Sequence, residues 1–220
     1  MTFWLEVSNI TCVMMNDQEN TIEKIKQTAL DEFFMHGYNK ASLRTICSRA
    51  GVTTGAMYFY FKNKEALFRE IFEPLVVQYE ELLVRYMKLE LAEPELGTQL
   101  DVQMMQFILE HRKEAVIILE KAQGSCYEMY RSKVEQLMEQ SIYTFYKSRM
   151  DYEPDEKLVK ILAKIRLDGC LEIIKGNYSM EDSLYLVEKI GIYSMGGTDK
   201  LIQNLREPHS IWLWGSFFTT

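Results

Sequence analysis

The stretch Ser42–Leu67, SLRTICSRAGVTTGAMYFYFKNKEAL, decides the fold. Ser42 is a good helix N-cap, and Leu43, Ile46 and Ala50 follow at i, i+3 and i+7 on one helical face. Gly51 supplies the left-handed residue that closes a helix at little cost. Val52 plugs the corner, and Thr53 caps a second helix, predicted over Thr54 to Tyr60. Asn63 caps a third, with Glu65 in its first turn, where the helix dipole favours an acid. Two short helices around a tight turn form a helix-turn-helix, whose second helix enters the DNA major groove.

Outward from this stretch the chain reads as helical throughout. The first helix is predicted over Gln18 to His36, with Ile22, Ile25, Ala29 and Phe33 in one stripe and Gly37 ending it. The helix starting at Lys64 extends to about Glu90, and Pro74 inside it should bend or split it. Further helices are expected over Leu96–Glu110, Lys113–Ala122, Ser125–Ser148, Asp155–Lys175 and Met180–Asn204, with Gly124 interrupting the middle of the run. Four prolines and eleven glycines in 220 residues leave few turns for a β fold. A hydrophobic content of 47% is enough for a sizeable core. In the last helix Gly191, Gly196 and Gly197 cost helix stability but permit close approach of a neighbour. No apolar run is long enough to cross a bilayer, so no membrane is expected. Four scattered cysteines suit reduced thiols and a cytoplasmic location better than disulfides or zinc.

The net charge of −7 argues against nucleic acid only at first sight. Residues 17–70 hold eight Lys/Arg against seven Asp/Glu, and the acidity lies towards the C-terminus. Between Ser42 and Lys64 stand Arg44, Arg49, Lys62 and Lys64, with no acid. Phosphates meet that local surface, not the charge of the whole chain.

Ala50, Gly51, Val52, Thr53, Gly55, Tyr58, Phe61, Lys64, Glu65 and Leu67 carry a resemblance to the tetracycline-repressor (TetR) family of bacterial regulators. Upstream, Ile25, Ala29, Phe33, Gly37 and Tyr38 match the family's first helix and its exit. The resemblance spans Ile22 to Phe72 without a gap. It implies an all-α fold: a three-helix head, a long bent helix, and a helical body for ligand binding and dimerisation. The corresponding division is a helix-turn-helix domain over 16–62 and a regulatory domain over 63–206. Residues 1–15 form an apolar extension, best explained by translation starting at Met14 or Met15, or else by an arm that packs on a partner. Residues 207–220 form an apolar tail that something must cover.

The resemblance also implies the contacts. Expected DNA-binding residues are Ser42, Arg44, Thr53, Thr54, Gly55, Ala56, Tyr58, Tyr60 and Lys64. Tyrosine hydroxyls and Lys64 would grip phosphate, and Arg44 would fork onto guanine. A small-molecule inducer would meet Met104, Met105, Phe107, Gln123, Tyr127, Tyr130, Phe145 and Tyr146, although methionine and aromatic stripes more often fill plain core. A homodimer would pair Leu158, Leu162, Ile165, Leu184, Val187 and Ile190 with their symmetry mates. Ala41 stands where the family often has threonine, and Cys47 replaces a common alanine. The expected partner is a pseudo-palindromic operator, and no cofactor or metal is expected. A helix-turn-helix scaffold without ligand sensing is the alternative. A helical metal-dependent enzyme is remote, because no Glu-x-x-His pair and no GxSxG, P-loop or HExxH motif occurs.

Overall fold

A computed structural model describes the backbone of residues 2–206 and the side chains of residues 18–205. The side chains of the N-terminal extension and the whole C-terminal tail, 207–220, lie outside the described residues. The order is α1 (Thr2–Lys40), α2 (Leu43–Ala50), α3 (Thr54–Tyr60), α4 (Lys64–Ala92), a 3-10 turn (Pro94–Leu96), α5 (Gly97–Glu110), α6 (Arg112–Glu120), α7 (Tyr130–Lys147), α8 (Glu156–Lys175) and α9 (Met180–Arg206). No strand occurs among the described residues. None of their helices is long and apolar enough to cross a membrane.

Local chemistry accounts for most boundaries. Gly37, at φ 71° and ψ 164°, breaks the helical path of α1 where the sequence places its end, and a last turn follows to Lys40. Asn63 Oδ1 accepts the Ala66 amide at 2.8 Å and so starts α4. Pro74 has no N–H for the carbonyl four residues back, yet α4 continues through it unsplit. Two boundaries differ. The backbone of α1 is already helical from Thr2, well before the expected start at Gln18. The helix expected from Ser125 begins only at Tyr130, because Gly124 takes φ 84° and Ser125 folds its own turn. The Ser125 hydroxyl donates to the Ala122 carbonyl and accepts the Tyr127 amide.

The chain forms two compact units. The first runs up to Leu83 and includes Ile108–Val134; the second holds Val84–Phe107 and the chain from Glu135 onward. The packing border falls within α4, after Leu83, and α6 belongs to the first unit. The end of α6 is tied to the end of α1. The Tyr38 amide donates to the Lys121 carbonyl at 2.9 Å, and Lys121 Nζ donates to the Phe34 carbonyl.

In the first unit Ile25, Phe33, Ile46, Met57, Leu67 and Phe68 are fully buried. Phe68 is the hub: its ring meets Phe33 and Tyr38 edge-on at 4.9 Å and Phe72 at 4.3 Å. Edge-to-face pairs of this kind add to the burial free energy of the rings. In the second unit α8 buries Val159, Ala163, Leu167, Leu171 and Ile174, at the i, i+4, i+8 spacing of one helical face. Helix α9 sets Ser183 and Val187 inward. A Cβ on Gly191 would come within 2.9 Å of Thr98, so α5 and α9 approach closely there. Gly196 and Gly197 face open space instead.

Candidate nucleic-acid interface

Both caps of the helix-turn-helix form as the sequence implies. Ser42 Oγ accepts the Thr45 amide, Thr53 Oγ1 accepts the Ala56 amide, and Gly51 sits at φ 71°, ψ 27°. With two caps used internally, Ser42 and Thr53 hold the motif in shape through their side chains. Helix α3 is seven residues long, too short to be stable by itself. It persists because Met57 is buried beneath it and Phe61 closes its end.

That anchor orients the rest. Thr54, Gly55, Tyr58 and Phe59 are exposed, and Ala56 and Tyr60 are half-buried. The structure thus gathers the expected positions of α3 on one accessible surface and adds Phe59, which is not among them. Phe59 is 77% exposed, with its ring edge-on to Tyr60 at 5.2 Å.

The basic residues divide into two kinds. Arg44 and Lys62 are exposed. Arg49 instead faces α1, 3.8 Å from Glu32 and 3.9 Å from Asp31. Glu32 is buried and also accepts the Ser42 amide at 3.2 Å, so this carboxylate braces the start of α2. Nothing in the local sequence signals that role, since Glu32 lies ten residues upstream.

Lys64 departs most from expectation. Its Nζ donates to the carbonyls of Tyr38 at 2.7 Å, Ala41 at 3.2 Å and Asn39 at 3.3 Å. The same ammonium lies 4.4 Å from the centroid of the Tyr38 ring. Burial lowers its pKa. Three N–H donors meeting three carbonyls leave an ammonium saturated, so Lys64 pins the α1–α2 elbow to the start of α4.

Glu65 makes a second tie. It accepts the Cys126 amide at 2.9 Å and hydrogen-bonds the Cys126 thiol and the Tyr38 hydroxyl. Burial acts to raise its pKa, but these bonds and nearby Arg69 hold it below the usual carboxylate value. The partners shift oppositely: burial and Glu65 push the Cys126 thiol up to about 11 and the Tyr38 phenol up as well. Cys126 is exposed and Cys47 buried.

The residues expected to meet a ligand fall in both units. Gln123, Tyr127 and Tyr130 belong to the first, where the Tyr127 and Tyr130 rings stand 6.0 Å apart. Burial, with Glu80 and Tyr79 nearby, raises the Tyr130 pKa. Met104, Met105, Phe107, Phe145 and Tyr146 belong to the second. There Tyr146 is core, clustered with Met150 and Ile202, and Phe145 packs against that cluster. An open depression of about 260 Å³, lined by Arg149, Asp199, Ile202 and Gln203, contains none of the expected residues. The second unit also holds polar groups that sequence reasoning missed. Arg166 pairs with Asp101, and burial raises the pKa of nearby Glu90.

The expected dimer stripe splits. Ile165 is 63% and Ile190 50% exposed, and Leu158 and Leu184 are half-buried. Val187, 7% exposed, and Leu162, packed on the Tyr146 cluster, serve their own core. The outward apolar face is Ile161 and Ile165 on α8 and Tyr185, Ile192 and Tyr193 on α9.

Similarity to known proteins follows the same geography. Residues 25–71 match the family described as bacterial regulatory proteins, tetR family. The uncharacterized HTH-type transcriptional regulator YhgD of Bacillus subtilis is 32% identical over 130 residues, 58% of this chain and 65% of that protein. The HTH-type transcriptional regulator AcrR of Shigella flexneri is 39% identical over 70 residues, 32% of this chain and 33% of that protein. The chain thus spans under two-thirds of the length of these curated relatives. NalD of Pseudomonas aeruginosa, the secondary repressor of the MexAB-OprM multidrug efflux pump, shares the fold. Its TM-score is 0.57 at 18% identity, covering 81% of this chain and 96% of that one.

Proposed function

Because the chain belongs to the tetR family of bacterial regulatory proteins, we propose that it is a sequence-specific DNA-binding transcriptional regulator. In this reading it is a homodimeric repressor that a small molecule releases from a pseudo-palindromic operator. The observation that carries the proposal is the build of α3: Met57 buried below, with Thr54, Gly55, Tyr58 and Phe59 exposed. Exposed Arg44 and Lys62 lie to either side of it in sequence. A short helix held from one side is what a major groove accepts. Tyr58 and Lys62 would hold phosphate and Arg44 would read a base edge, while Ser42, Thr53 and Lys64 shape the motif. Membership of a family of regulators also points away from an enzyme.

The exposed apolar face of α8 and α9 supports a dimer, since a free surface of this kind is costly in water. Two heads would then read two half-sites. A ligand that favours a head spacing unfit for adjacent grooves lowers DNA affinity, and DNA lowers ligand affinity by the same factor. Tenfold release needs about 1.4 kcal/mol of differential ligand affinity. The polar groups Glu90, Asp101 and Arg166, with half-buried Met104 and Phe107 of α5, are the suggested ligand-facing set. The test is selection of bound DNA from a random pool, repeated with candidate ligands. A shared palindromic sequence that a ligand abolishes supports the whole reading. A palindrome indifferent to every ligand retains DNA binding and removes the inducer, and no enriched sequence removes both.

A further inference from the structure

We infer that Phe59 reads thymine, through the C5 methyl group, in each half-site of the DNA. This deepens the DNA-reading role proposed above and rests on it. At about 100° per residue, Gly55 and Phe59 lie roughly 160–200° around α3 from Met57. Met57 is 1% exposed and marks the side seated on the head. Gly55 and Phe59 therefore occupy the opposite side, which penetrates furthest when the helix enters a groove. Thr54 and Tyr58 fall together on one flank, roughly 60–100° from Met57, where sugar and phosphate lie.

The two residues work as a pair. A Cβ on Gly55 would meet no atom closer than 3.9 Å, that of Thr53. The backbone there is bare, and the helix can sink until the ring one turn later reaches the base edges. Single exposed apolar residues are common, so exposure alone decides nothing. What decides is chemistry at that position. A phenyl ring has no donor or acceptor, so it can neither grip phosphate nor complete a hydrogen bond to a base. The thymine methyl is the apolar group that base pairs present in the major groove. Contact with Tyr60, edge-on at 5.2 Å, steadies the ring in that pose.

The test uses the full-length protein and the site that random-pool selection returns. Each thymine is replaced by deoxyuridine, which removes the methyl and keeps every hydrogen-bonding group. At one thymine per half-site the wild-type protein should lose about fourfold in affinity, the weight of one buried methyl group, and about sixteenfold when both half-sites are changed. Phe59→Ala should bind the thymine site weaker by a similar factor and be indifferent to deoxyuridine at that position. Phe59→Leu should keep part of the dependence. Equal deoxyuridine losses in wild type and Phe59→Ala overturn the inference, as does a wild type indifferent to every replacement. Either result leaves DNA reading intact. A selection with no preferred sequence removes the DNA-reading role and this inference together.

Discussion

At the scale of single residues, the head separates charges that hold it together from charges left to meet a partner. Lys64 and Lys62 stand two positions apart and should behave differently. Lys64→Ala strips a cation from three carbonyls. Hydrogen bonds to charged groups contribute about 1.5–3 kcal/mol, and the loss should appear as a lower urea midpoint at unchanged m-value. Lys62→Ala should leave stability alone and make the salt dependence of DNA binding shallower by about one unit per subunit. A shallower salt slope for Lys64→Ala at unchanged stability would reverse these roles. Cys126 offers a second contrast, being exposed yet held protonated, with its thiol pushed up to about 11. A group whose pKa rises on folding disfavours the native state once the unfolded thiol has ionised. Stability should therefore be flat below about pH 9, the ordinary thiol value, and fall between there and about 11. Iodoacetamide should label Cys126 slowly at pH 8, and Glu65→Gln should speed labelling by removing the carboxylate that opposes the thiolate. Equal labelling rates in wild type and Glu65→Gln would mean that Glu65 does not control the thiol.

At the scale of elements, two glycines do the same backbone work in different surroundings. Gly51 and Gly124 both take positive φ, but a Cβ on Gly51 would meet nothing within 4 Å. A Cβ on Gly124 would come within 1.9 Å of Asn39 Oδ1. Gly51→Ala should therefore cost only the left-handed strain of about 1–2 kcal/mol. Gly124→Ala should cost more, and Asn39→Ala beside it should return the loss to the Gly51 level. Equilibrium unfolding of the three variants checks this, and additive costs at residues 39 and 124 would count against the clash. The same two sites show what was legible in the sequence. Gly51, Ser42, Thr53 and Asn63 announce their elements because each acts on neighbours within four residues. The late start of α7 was not legible, because Ser125 competes for Ala122 and Tyr127 in a way that helical periodicity does not register. The sequence points to Lys64 as a phosphate contact and says nothing of Glu32, because their structural partners lie ten to twenty-six residues away. In α8 both faces are apolar, and a stripe read at 3.6-residue spacing cannot say which one the chain keeps for itself.

At the scale of the whole molecule, those two faces of α8 make the proposed dimer testable without ambiguity from folding. Val159, Ala163, Leu167 and Leu171 are buried within the chain's own second unit, whereas Ile161 and Ile165 are exposed. A charge on the inner face must be desolvated without a partner, which costs several kcal/mol and undoes the unit itself. A charge on the outer face costs a single subunit almost nothing, because it stays in water. It becomes expensive only if a second subunit excludes that water. Ile165→Glu should accordingly keep its helical circular dichroism and melting temperature at low protein concentration, yet sediment as a monomer where the wild type is a dimer. Its affinity for one half-site should be retained while affinity for the complete operator falls towards that single-site level, because two linked heads gain from effective concentration and separate heads do not. Leu171→Glu serves as the contrast and should lose its cooperative unfolding transition. If Ile165→Glu sediments as the wild type does, the outer faces of α8 and α9 do not join the subunits. The apolar surface of Ile161, Tyr185, Ile192 and Tyr193 would then require a different partner.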